Sequence, residues 1–150
     1  MNRFVVMVFC VALAIPAVHA ANQDTVADRV LGQATFTTSN FGCSATQISS
    51  AFGLGVDRRT GRIYIADSSN NRVISWPNAA SFTNGQAADK VFGQPNFTSN
   101  LINGGGTPTA STLNGPRGVA VDDNSNLYVA DTFNQRIRKI SCRCPDNPGT

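Results

Sequence analysis

Residues 118–137 read GVAVDDNSNLYVADTFNQRI, and they decide the fold. Gly118 to Asp122 and Asn126 to Ala130 are short runs rich in β-branched and aromatic residues, as strands are. The stretch between them, Asp122-Asp123-Asn124-Ser125-Asn126, is turn chemistry. A second turn, Asp131-Thr132-Phe133-Asn134-Gln135, leads into Arg136 to Ile140. Apolar and polar residues alternate there, as a half-buried strand requires.

The same pattern occurs once before. Residues 54–74 read LGVDRRTGRIYIADSSNNRVI, so that Asp67, Asn70 and Arg72 match Asp131, Asn134 and Arg136. Ala27-Asp28-Arg29-Val30-Leu31-Gly32-Gln33 returns as Ala88-Asp89-Lys90-Val91-Phe92-Gly93-Gln94, and Phe36-Thr37 as Phe97-Thr98. The offset drifts from about 61 to about 65 residues, so each copy carries a long loop. No segment after residue 20 keeps a helical period for three turns. Short strands joined by Gly, Asn and Asp turns in a repeating unit predict an all-β propeller or sandwich.

The run from Gly118 to Ile137, with its earlier copy from Leu54 to Ile74, resembles the NHL repeat. Asp, Asn and Arg at fixed offsets after a strand make the likeness specific, and the Val-Leu-Gly-Gln and Val-Phe-Gly-Gln segments add to it. The histidine position of the motif is taken by Asn71 and Gln135. The resemblance implies a β-propeller, commonly of six four-stranded blades, with a face that binds protein or ligand. One branch of the family holds a zinc-dependent lyase that uses histidines; without them, that activity does not carry over.

The expected organisation is two blades of an NHL-type propeller across residues 27–141, with blade cores 51–93 and 116–141 and an N-terminal strand over 29–33. Gly53 to Asp57, Arg62 to Ala66, Arg72 to Trp76 and Lys90 to Gly93 are strands a to d of the first blade. The second has a, b and c; the strand at 29–33 is a d strand without a blade. Such a pair leaves sheet edges and apolar faces open. A fragment of a longer propeller, a homo-oligomer completing the ring (a trimer, from symmetry alone), and a compact unit with the front strand tucked against the second blade are the three readings.

Met1 to Ala20 has the layout of a secretory signal peptide: Arg3, the apolar run Phe4 to Ile15, Pro16, then small residues before the cut. A secreted or periplasmic protein with no membrane segment after cleavage is expected. Oxidising conditions make one disulfide reasonable among Cys43, Cys142 and Cys144, with the pairing open and one thiol left over. The tail 142–150 is expected to be disordered. The formal charge is +3 with scattered basic residues, so nucleic acid is not an expected partner.

His19 is the only histidine and lies in the signal segment, and the sequence has no glutamate. The chain after residue 20 therefore has no imidazole for general-base chemistry near neutral pH or for a Ser-His-Asp arrangement. No catalytic, cofactor or metal residue is assigned. Asp67, Asn70 and Arg72, and Asp131, Asn134 and Arg136, are read as structural: each aspartate caps backbone N–H groups at its turn and pairs with the arginine across the hairpin. Trp76 is read as core. The Gly- and Thr-rich loops 37–50 and 98–115 are the best candidates for contacts with a protein or glycan partner. The expected function is a secreted binding or scaffold module without catalysis. The alternatives are a metal-assisted lyase or hydrolase built on aspartates, or a truncated propeller fragment with no function of its own.

Overall fold

Among the described residues, turn residues cut the chain into seven strands in two antiparallel sheets. A computed structural model describes residues 26–141. The signal segment 1–20, the tail 142–150, Cys142 and Cys144 lie outside them. The first sheet has the order β1 (Ala51–Val56), β2 (Ile63–Asp67), β3 (Arg72–Trp76), β4 (Lys90–Phe92). The second has β5 (Gly118–Val121), β6 (Asn126–Asp131), β7 (Arg136–Ser141). These are two blades of an all-β propeller unit, the first with four strands and the second with three. Registers match: Asp67 stands opposite Arg72 in one copy and Asp131 opposite Arg136 in the other.

Each expected strand appears within a residue or two of its expected bounds, except the one at 29–33. That segment pairs with no strand among the described residues, so it has no ladder to make it one. It lies instead against the first sheet, where Leu31 and Ile48 pack on a core of Ile63, Ile65, Ile74, Trp76 and Ala88. The Trp76 indole N–H finds the Gln86 carbonyl at 2.8 Å, which removes the cost of burying it.

A second core joins the sheets. Tyr64, Val73 and Phe92 of the first meet Leu127, Val129, Val119, Val121 and Ile140 of the second, with Leu113 between. Full burial of each such side chain stabilises by about 1.5–3 kcal/mol. Every residue of β2 and β3 is therefore buried, since both faces are covered, while β6 alternates and β7 is largely open. The inner strands β1 and β5 approach closely. A Cβ on Gly53 would come within 2.7 Å of the Arg117 carbonyl oxygen and 2.9 Å of the Gly118 Cα, so only glycine fits.

Candidate functional site

The turn after β2 is built around Asp67 and Arg72, both fully buried. Arg72 Nε donates to Asp67 Oδ2 at 2.8 Å. The rest of the guanidinium donates to the carbonyls of Phe97, Ser44 and Gln47. Asp67 Oδ1 accepts from the N–H groups of Ser49 and Ser50, and Asn70 Nδ2 donates to Asp67 Oδ2 and to the Gly42 carbonyl. One buried ion pair thus ties the turn to two loops distant in sequence. The expected pairing holds here. The expected capping does not: the carboxylate takes its N–H groups from the loop entering β1, not from its own 3-10 turn.

The second copy departs further. Arg136, expected to pair with Asp131, is exposed and, among the described residues, donates to the Asn134 carbonyl instead. Its place is taken by Arg138, whose Nε donates to Asp131 Oδ2 at 2.6 Å and whose Nη1 donates to the Thr109 carbonyl. Thr109 is the counterpart of Ser44, so Arg138 repeats two of Arg72's contacts from two residues further along. The reason is cover. The Phe97 loop folds over Arg72, whereas no loop among the described residues stands over Arg136, and an uncovered guanidinium stays in water. Asp131 keeps the rest of the pattern, accepting from the Asn114 N–H and from Asn134 Nδ2. Asn71 and Gln135 close the two turns at φ 52° and 53°, a left-handed conformation in which asparagine is enriched.

These networks order one end of the sheets, and that end is apolar on its surface. Arg117 lies between the rings of Phe52 and Phe133, its guanidinium carbon 5.1 and 5.3 Å from their centroids. Both rings are 59% exposed. Next to Phe133, Asn134 and Asn103 exchange amide hydrogen bonds, which fixes the loop carrying exposed Leu101 and Ile102. Phe41, 81% exposed, precedes the Gly42 carbonyl held by Asn70. The candidate loops 37–50 and 98–115 hold Phe41, Leu101 and Ile102, but Phe52, Arg117 and Phe133 lie outside them. Phe52 of β1 meets Arg117, next to β5, because those two strands pack together.

The profile of the NHL repeat matches residues 113–140. Over 85 residues, 57% of the chain, the sequence is 39% identical to NHL repeat-containing protein 2 of Homo sapiens. The chain carries an NHL repeat. The aligned stretch spans 10% of the human relative's own length. The matched repeat covers the second sheet, β5 to β7, and the first sheet repeats its antiparallel strand order and register.

At the opposite end of the NHL pair, a cleft of about 520 Å³ is lined by Val56, Arg58, Arg59, Val121, Asp122 and Asp123. Asp122 is engaged by Asn124, Asn126 and Tyr128, and its carboxyl is held below the usual range first by the Asn126 side-chain amide. Asp57 is buried, which raises its carboxyl. Thr60, Ser125 and the backbone at Arg59 and Thr60 together outweigh that and bring it below the usual range. Ser125 Oγ acts there by proximity, without a well-aligned hydrogen bond. Carboxylates held this way are poor proton donors near neutrality. Cys43 is half-buried and donates to the carbonyls of Phe97 and Ser99; burial pushes its thiol up, the Arg72 charge opposes this, and Asp67 adds to it. Cys142 and Cys144, its expected disulfide partners, are outside the described residues.

Proposed function

We propose that this chain is an exported NHL-repeat module that binds a protein partner through the Phe52–Arg117–Phe133 end and does no chemistry of its own. The exposed stack of a guanidinium between two phenylalanines carries this reading. Aromatic and arginine side chains dominate binding energy at protein interfaces, and a buried network below holds these loops in place before binding, which lowers the ordering cost. Leu101 and Ile102 beside the stack favour a protein over a glycan, since branched aliphatic side chains offer a sugar no flat platform. The acids support the absence of catalysis: Asp57, Asp67, Asp122 and Asp131 are all occupied as hydrogen-bond acceptors within the fold.

A photo-crosslinking residue at position 133, set against one at position 59 on the other end, tests the site. With extracellular protein as bait pool, a discrete adduct is expected from position 133 that disappears in Arg117→Ala. Adducts of equal yield from both positions, or none from position 133, contradict it. N-terminal sequencing of protein recovered outside the cytoplasm tests export, with Ala21 as the expected first residue.

A further inference from the structure

We propose that residues 28–33, which form no strand within one chain, become an outer strand by pairing with the open edge of β7 in a second copy of this chain, head to tail. Residues 28–33 hold, against the first sheet, the place that Asp89 to Gln94 hold against the second. Gln33 Nε2 donates to the Asn40 carbonyl at 2.7 Å; Gln94 Nε2 donates to the Leu101 carbonyl at 2.8 Å. Gly32 has φ 81° and Gly93 has φ 91°, and a Cβ on either would strike matching residues, Ile48 and Leu113. Leu31 packs on the first core as Phe92 packs on the second. One thing differs: β4 is paired with β3, whereas residues 28–33 have no strand beside them among the described residues.

The matching vacancy is on β7. It is the counterpart of β3, and among the described residues it pairs only with β6. Val73, fully buried beneath Phe92 in the first sheet, corresponds to Ile137, which is 70% exposed. Carrying the β3–β4 register across places Leu31 of one copy opposite Ile137 of the next, and Val30 opposite Arg138. The same docking lays Tyr128 and Ile137 over Leu54 and Val56, which are exposed. Their counterparts Val119 and Val121 are covered within the chain by Tyr64 and Val73.

Charge selects the same partner. Asp89 is held by a two-pronged contact from Arg62, at 2.6 and 2.9 Å, beside Ser75. At those two positions the second sheet has Asn126 and Lys139, so the cation is retained one strand over. Lys139 is exposed above the Tyr128 ring, and Asp28, the counterpart of Asp89, is exposed. Arg29, which the register sets opposite Lys139, is turned away to the carbonyls of Ala80 and Phe82, leaving Asp28 as the charge that Lys139 meets. The contact joins two different surfaces, so repetition gives a ring if the rotation closes and a filament if it does not.

Single substitutions on each half of the contact test this. Ile137→Lys disables the β7 side and Leu54→Lys the front face; both positions are exposed, and circular dichroism checks that each variant stays folded. By light scattering after size exclusion, the unaltered chain is expected at two-fold the monomer mass or more. Each variant alone is expected to be monomeric. An equimolar mixture is expected to stop at a one-to-one dimer, because one working front and one working edge remain. Lys139→Asp is expected to weaken assembly, and Asp28→Lys in the same chain to restore it. A monomeric unaltered chain, variants that assemble as it does, or a mixture that stays monomeric would each overturn the proposal.

Discussion

Arginine at the fifth position after the motif aspartate has opposite weight in the two copies. Consider Arg72→Ala. The change leaves the fully buried Asp67 carboxylate without its cation and frees the Phe97, Ser44 and Gln47 carbonyls. Breaking a buried ion pair from one side costs about 3–5 kcal/mol. The remaining donors to Asp67, from Ser49, Ser50 and Asn70, keep the cost inside that range and not above it. A domain of this kind is stable by about 5–15 kcal/mol, so the loss removes a large share. Arg136→Ala removes one bond from an exposed side chain and is expected to change stability by no more than about 0.5 kcal/mol. Arg138→Ala falls between, at about 1.5–3 kcal/mol, because one hydrogen bond to a buried carboxylate is lost while Asn114 and Asn134 still serve it. Urea unfolding followed by circular dichroism, at concentrations low enough for monomer, gives all three from the midpoints if the slopes agree. Equal losses for Arg72→Ala and Arg136→Ala, or no loss for Arg138→Ala, would refute the exchange of arginines between the copies.

Leu127→Ala, in the core shared by the sheets, is expected to cost about 2–5 kcal/mol in the same assay. Gly93→Ala combines a φ of 91° with a Cβ 2.6 Å from the Leu113 side chain and is expected to destabilise by more than about 1 kcal/mol, measured as a lowered midpoint. Asp57 has its carboxyl below the unfolded value, so its contribution is full above that value and lost as pH falls through the folded one. Asp57→Asn is therefore expected to flatten the acid limb of a stability-against-pH curve, leaving the change above pH ~5 nearly constant. In reduced protein, Cys43 is expected to alkylate more slowly with iodoacetamide than a free thiol at the same pH, because its thiolate is scarcer.

Strand positions were legible because turn chemistry brackets them: Arg59-Thr60-Gly61 before β2 and Asp122 to Ser125 before β6 are strong punctuation. Which faces are buried was not, because β2 and β3 are covered on both sides by parts of the chain that are far away in sequence. The arginine exchange was hidden for the same reason. Arg72 and Arg136 sit in near-identical local sequence, and only the loop over the first distinguishes them. Residues 28–33 were correctly matched to β4, yet they form no strand, since a strand needs a neighbour and the local sequence does not supply one. Phe52 and Phe133 of the Phe52–Arg117–Phe133 group are far apart in sequence, and only the tertiary fold brings them to one arginine.

The equivalence of the two copies is tested most directly by cross-strand proton contacts in a nuclear Overhauser spectrum of the labelled protein. Contacts are predicted between Ile65 and Ile74 and between Val129 and Arg138 on the two sheets, and between the side chains of Tyr64 and Leu127 across them. Contacts in only one copy, helical sequential patterns in either, or a shifted register in which Asp131 does not stand opposite Arg136 would contradict it.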